Sequence, residues 1–124
     1  MTALVRYQDQ YIVARNKQWP KGYFSLIAGY LETGETVEEA VLREVKEELN
    51  LTGEILNFLG YYSFLGMNQL ILAFEVNGTG HLQLNEKLSE RKLMSKDELS
   101  KYDFSYFDIT QKTIKAWSRL HGLA

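Results

Sequence analysis

The chain has no cysteine, a single proline and only two histidines in 124 residues. Without cysteine there can be neither a disulfide framework nor a thiolate metal site, a composition compatible with a reducing compartment. No stretch of about 18 apolar residues occurs that would cross a bilayer as a helix. The N-terminus also lacks a basic stretch followed by an apolar segment and a small-residue cleavage site. These absences lead us to expect a cytoplasmic protein with no membrane partner. Lys and Arg number 14 against 16 Asp and Glu, a net charge of −2, and the lack of a long basic run argues against a dedicated nucleic-acid binder. Repeats, low-complexity tracts and Pro/Ser-rich linkers are missing too. With 45% hydrophobic and 24% charged residues, residues 1–124 are expected to form one globular domain.

What is present is concentrated between Gly29 and Leu51, in the segment GYLETGETVEEAVLREVKEELNL. Thr36 followed three residues later by Glu39 has the form of a capping box and predicts a helix from about Val37 to Leu49. Val41, Leu42, Val45 and Leu49 make its apolar stripe. Glu44, Glu47 and Glu48 stand at i, i+3 and i+4 and therefore share an arc of roughly 100° beside that stripe. Like charges so placed cost a few tenths of a kcal/mol per pair, a repulsion that a bound cation would relieve. The competing reading is a solvated acidic face, which Glu-rich helices commonly are. Upstream, Gly29 and Gly34 frame a loop before Glu35, and glycine allows close approach of backbone to a ligand. Such a loop can aim a carbonyl oxygen at the same place. An oxygen-only donor set, with no histidine nearby, suits Mg²⁺ or Mn²⁺ rather than Zn²⁺.

Taken together, Gly29, five residues, Glu35, seven residues and then Arg43-Glu44-Val45-x-Glu47-Glu48-x-Asn50-Leu51 resembles the Nudix box, the signature of hydrolases acting on nucleoside diphosphates linked to another group. Asn50 stands where that signature has glycine, and Asn is the next residue most tolerant of the left-handed conformation found after helix ends. Tyr11 to Arg15 and Gly22 to Gly29 also look like the strand pair preceding the box in the NADH pyrophosphatase branch of the family. The resemblance implies a metal-dependent hydrolase that cleaves a pyrophosphate linkage in an NADH-, NAD- or ADP-ribose-like nucleotide. It assigns Glu44 and Glu48 as principal metal ligands, Glu47 as a further ligand or support, and the Gly29 carbonyl as a main-chain ligand. Arg43 and Glu35 are expected to pair internally and, with Gly34, to fix the loop against the helix.

The general base is sought outside the box at Glu90, with Glu86 and Glu44 as competitors. Arg15, Tyr23 and Phe24 are candidate substrate contacts, Arg15 for a phosphate and the two aromatics for a ring. The Ser-Gln-Pro-Trp-Pro-Phe-Pro motif of NADH pyrophosphatases is absent, since Tyr61 to Met67 reads YYSFLGM. A dinucleoside polyphosphate, a nucleoside triphosphate or a capped RNA end therefore stays open beside the dinucleotide substrates. So do a Nudix-fold sensor that binds nucleotide without cleaving it, and a purely structural domain. Family habit favours a homodimer.

The remaining pattern is α+β. Ala3 to Tyr7 and Tyr11 to Arg15 read as a hairpin turning at Gln8-Asp9-Gln10, followed by a strand over Phe24 to Ala28. Glu54 to Phe64 and Gln69 to Val76 read as long strands joined around Gly66, with a turn at Asn77-Gly78-Thr79-Gly80 before another short strand. Glu90 to Met94 predicts one more strand, Lys96 to Leu99 a short helix begun at Ser95, and Phe107 to Leu120 a closing amphipathic helix. The family resemblance sharpens this order to an α/β/α sandwich with a mixed sheet.

Overall fold

The computed structural model describes residues 1–123 and builds the fold on a six-stranded mixed sheet. Strands β1 (Thr2–Tyr7) and β2 (Gln10–Asn16) form the expected hairpin. Gln8 and Asp9 both have positive φ, 50° and 64°, the conformation that matches a two-residue turn to strand twist. Gln10 is consequently already in β2, paired with Tyr7. The order across the sheet is β4 (Thr52–Phe64), β5 (Gln69–Thr79), β1, β2 and β6 (Leu88–Met94), and the short β3 (Ile27–Ala28) pairs with the start of β1. β1 runs parallel to β5, whereas its other neighbours are antiparallel.

Strand alternation sends successive side chains to opposite faces, and each face is covered by a different helical layer. Ala3, Val5, Ile12, Ala14 and Val76 pack with Val41, Val45 and Leu49 of α1 (Val37–Leu49). On the other face Leu4, Tyr11, Val13 and Met94 pack with Leu99 of α2 (Lys96–Lys101) and with Ile114 and Trp117 of α3 (Asp108–Leu120). This is the α/β/α sandwich with a mixed sheet. Phe104 joins the second core at 1% exposure, while Tyr106 remains 58% exposed.

Two elements depart from the sequence reading. The strand expected over Phe24 to Ala28 shrinks to Ile27–Ala28, with Ser25 making only an isolated bridge to Ala14. The turn expected at Asn77 to Gly80 is absent, because β5 continues through Thr79, and Asn77 and Gly78 pair with Glu54 and Gly53. Gly78 serves packing here: a Cβ on it would come 2.9 Å from Leu51 and 3.1 Å from Val5. No strand follows directly either. Residues 81–87 run as a loop fastened to the end of α1, Gln83 N–H donating to the Leu49 carbonyl (3.0 Å) and Asn85 N–H to that of Glu48 (3.1 Å).

Candidate active site

The loop after β3 and helix α1 meet at one arginine. α1 starts on the predicted capping box, Thr36 Oγ1 accepting from Glu39 N–H (3.1 Å) while Glu39 Oε1 accepts from Thr36 N–H (2.9 Å). It ends at Asn50 in the left-handed region, φ 61° and ψ 26°, so asparagine takes the backbone role of the usual glycine. Arg43 then grips Glu35 with two bonds, Nε to Oε2 at 2.6 Å and Nη2 to Oε1 at 3.0 Å. It also donates to the Tyr30 carbonyl (2.9 Å), to Glu44 Oε1 (2.8 Å) and to Glu47 Oε2 (3.2 Å). A planar guanidinium suits this fork-like set of acceptors better than an ammonium would. The hydrogen bonds from Arg43 hold the Glu35 carboxyl below the usual carboxylate range. Gly34, at φ +86° with open space where a Cβ would be, gives the loop its turn.

Glu44 and Glu48 point inward and are 7% and 5% exposed. Each keeps one buried carboxylate oxygen, Oε2 in both, with no hydrogen-bond partner. Native proteins seldom leave buried polar atoms unpaired, because each costs about 1–3 kcal/mol and more when charged. Burial, first, and the neighbouring Glu44 carboxylate, second, push Glu48 up to about 8. Lys87, on the loop fastened to the helix end, partly opposes that shift. Gly29 lies against the same pair, and a Cβ placed on it would overlap the Glu44 carboxyl group. Its carbonyl accepts from the Met1 α-ammonium at 2.8 Å, so this oxygen already faces a cationic donor.

Two orphaned carboxylate oxygens, beside a carbonyl that already accepts from an ammonium group, fit a hard cation. Among the described residues no three acidic or imidazole side chains converge in ligating geometry. Glu47 is the member that departs: Arg43 draws it aside and its side chain is 50% exposed.

The other candidates lie elsewhere. Arg15 and Glu90 are opposed on β2 and β6 and bind each other, Nε to Oε1 at 2.8 Å, with Arg15 Nη1 also on the Trp19 carbonyl at 2.9 Å. The strand alternation turns both toward the α2–α3 face, away from α1. Glu86 is exposed on the loop whose neighbour Asn85 donates its main-chain N–H to the Glu48 carbonyl. Phe24 is 4% exposed in the second core with Lys92 over its ring, which leaves no free face for a ligand. Tyr23 stacks on Tyr106 at 4.2 Å and is 40% exposed.

Sequence reading missed a cavity of about 1020 Å³ that opens beside Gly29. Its walls come from the ends of β4 and β5, the loop around Tyr30, Trp19, and the stretch from Tyr106 into α3. These segments are scattered along the chain, so no local pattern announces it. Equally unannounced is Glu75 on β5, 1% exposed under α3, which accepts from Tyr11 (3.1 Å), Asn57 (2.8 Å), Trp117 (3.2 Å) and His121 (3.1 Å). Burial pushes its carboxyl up, but the donors, His121 foremost, outweigh that and hold it below its ordinary value.

A mixed sheet between helices, with a glycine loop and acidic helix joined through Arg43, defines the class of domain to which the chain belongs. The NUDIX domain model matches residues 2–117, and the chain belongs to that family. It is 31% identical over 123 residues to an ADP-ribose pyrophosphatase of Methanocaldococcus jannaschii, covering 94% of this chain and 70% of that one. It is 37% identical over 70 residues to a NAD-capped RNA hydrolase, NudC, of Mycobacterium tuberculosis, covering 56% of this chain but only 22% of that protein. The matched stretch thus spans about a fifth of the length of such relatives. Among solved structures, a NUDIX hydrolase from Nitrosomonas europaea superposes with a TM-score of 0.75 at 21% identity, covering 98% of this chain and 73% of that one, a likeness of fold. Among the described residues no helix is long and apolar enough to cross a membrane.

Proposed function

We propose that this chain is a metal-dependent hydrolase that cleaves the pyrophosphate linkage of a nucleoside diphosphate joined to a second group. The observation that carries this reading is the pair of unpartnered, buried oxygens on Glu44 and Glu48. A non-catalytic acidic face has no reason to bury two carboxylates against each other at the cost such burial carries. Glu44 and Glu48, with the Gly29 carbonyl, would hold a divalent cation, Mg²⁺ or Mn²⁺ by donor chemistry. Bound there, the cation would supply charge neutralisation on the anhydride oxygens and activation of water. Arg43 and Glu35 act one layer out, keeping Glu44 oriented and the loop closed on the helix. Glu47, held by Arg43, supports that layer.

The proton acceptor is sought near the pair, and the fastening of the Asn85 loop to Glu48 favours Glu86 over Glu90. The pairing of Arg15 with Glu90 makes both a brace between β2 and β6. The Methanocaldococcus jannaschii relative, similar along 94% of this chain, supports an ADP-ribose-like substrate, and NAD-like molecules follow from the shorter match. A panel of nucleoside diphosphate derivatives and triphosphates incubated with protein and Mg²⁺, with products resolved by chromatography, tests the reading. Release of a nucleoside monophosphate from a diphosphate-linked substrate is expected. Binding without products would make the protein a sensor, and preferential release of pyrophosphate from triphosphates would make it a triphosphate pyrophosphohydrolase.

A further inference from the structure

A pyrophosphate linkage brought to Glu44 and Glu48 adds its own negative charge to theirs, more than one divalent cation neutralises. Most cations around the pair are already committed. Arg43 gives every guanidinium nitrogen to Glu35, Glu44, Glu47 or the Tyr30 carbonyl. The Met1 α-ammonium donates to the Gly29 carbonyl, and Arg15 is held by Glu90 on the other face of the sheet. Lys87 is different. It is exposed, its ammonium enters no ion pair or hydrogen bond among the described residues, and its charge reaches Glu48. The backbone that carries it is fixed: Lys87 N–H donates to Asn85 Oδ1 (3.1 Å), its carbonyl accepts from Lys17 N–H (3.0 Å), and the next residue, Leu88, is buried in the core under α1. Asn85 N–H is bonded to the Glu48 carbonyl, so the loop that presents Lys87 is anchored to the helix that presents the carboxylates.

We propose that Lys87 is a substrate-binding residue whose ammonium takes a phosphate oxygen of the anhydride held at Glu44 and Glu48. The proposal deepens the hydrolase reading and rests on it for the identity of the anion. A lysine suits this place as a compact point charge on a flexible stem, which follows a phosphate without needing a planar fork of acceptors. A hydrogen bond from an ammonium to a phosphate is charge-assisted and stronger than a neutral one. The same charge acts oppositely on the two ligands of the site, attracting the anion and repelling the metal cation. Two further cations unpaired among the described residues compete for the role: Lys17, bonded to the Lys87 carbonyl, and Arg91, paired with Ala14 on the α1 face of β6. Neither lies on the loop bonded to Glu48. The exposed Glu86 is the one acidic residue on that loop, and it makes no ion pair with Lys87.

Lys87→Met keeps the length and removes the charge, and Lys87→Arg keeps the charge. Mn²⁺ affinity is measured by calorimetry without nucleotide, and the Mn²⁺-loaded proteins are then titrated with inorganic pyrophosphate, so the first test needs no turnover. Lys87→Met is expected to bind Mn²⁺ at least as tightly as the parent but pyrophosphate about tenfold more weakly, the scale of one lost charge-assisted hydrogen bond. Lys87→Arg is expected to stay within about threefold of the parent for both, because its charge and donors remain. Lys17→Met and Arg91→Met are expected to change pyrophosphate binding by less than about threefold, as screened surface charges. With a diphosphate substrate, Lys87→Met should raise KM about tenfold and leave kcat within a few-fold, the pattern of an interaction made equally in ground and transition states. Thermal melts show whether the variants fold. Unchanged pyrophosphate affinity in a folded Lys87→Met would overturn the proposal. So would joint loss of Mn²⁺ and pyrophosphate binding, the mark of a loop that only holds Glu48 in place, or an equal loss in Lys17→Met or Arg91→Met, the mark of unspecific surface charge. Pyrophosphate binding that depends on Lys87, without hydrolysis of any diphosphate substrate, would instead overturn the hydrolase reading and leave the Lys87 assignment standing.

Discussion

Glu75 and the Glu44–Glu48 pair are buried carboxylates on opposite faces of one sheet, and they are solved in opposite ways. Glu75 is surrounded by four donors that the protein supplies. Glu44 and Glu48 each retain an oxygen with nothing to accept from. A buried charge that is fully bonded holds helix α3 to the sheet, whereas one left unbonded costs stability until a ligand completes it. On the proposed reading, the difference separates a structural acid from a functional one without reference to either residue's neighbours in sequence.

The widest gap between the two centres should appear in turnover. Glu48→Gln is expected to lower metal-dependent kcat by about 10³-fold, several kcal/mol of lost metal assistance, while Glu75→Gln leaves kcat within a few-fold of the parent. Near-parental turnover by Glu48→Gln would remove the basis of the proposed mechanism.

Their pH dependence should also diverge in metal-free protein. Glu48 keeps its proton in the folded state up to about 8 but loses it near 4.3 when unfolded. The folded state therefore binds more protons between those values, and stability falls as pH rises through this window, by a few kcal/mol in order of magnitude. Glu75 has the opposite sign: its lowered value contributes stability that is present above the unfolded value and lost as pH falls through the folded one. Urea titrations from about pH 2 to 9 check both, and Glu48→Gln should flatten the alkaline decline alone. An undiminished decline in that variant would assign the effect to another group.

In stability at neutral pH the two substitutions are expected to part in direction. Glu75→Gln should cost about 2 kcal/mol, the scale of weakening charge-assisted buried hydrogen bonds, whereas Glu48→Gln should raise the Tm of metal-free protein by removing the cost of protonating a buried acid that is ionised when unfolded. Equal destabilisation by both would mean the two centres are alike after all.

Arg43→Gln sharpens the comparison, because it removes orientation and keeps the ligands. Metal affinity measured by calorimetry with Mn²⁺ should weaken about 10- to 100-fold, as for other groups that orient ligands. A raised KM with intact metal affinity would place Arg43 on substrate instead. The smallest effect is expected at Asn50→Gly, within about 1 kcal/mol by thermal melts, since glycine relaxes the left-handed backbone but forfeits the 3.0 Å bond to the His81 carbonyl.

The loop and helix were legible because their determinants are local. Capping box, apolar stripe, left-handed Asn50 and the Arg43–Glu35 pair all lie between Glu35 and Asn50, where side-chain periodicity dictates who meets whom. Gly78 misled because a glycine beside asparagine signals a turn in sequence, while here it serves the close approach of Leu51 and Val5, residues far from it along the chain. Phe24 and Arg15 were plausible ligand contacts until the sheet placed one in the second core and the other against Glu90.

The sequence alone determined which helix carries the acidic face, how that helix begins and ends, and which arginine and glutamate tie the loop to it, since these follow from spacings of three to eight residues. Only the tertiary structure decided that Glu44 and Glu48 turn inward while Glu47 turns out, that a cavity opens beside Gly29, and that Glu75 is satisfied by Tyr11, Asn57, Trp117 and His121. Each of those depends on desolvation and on contacts between segments distant in the chain, and neither is encoded in any local pattern.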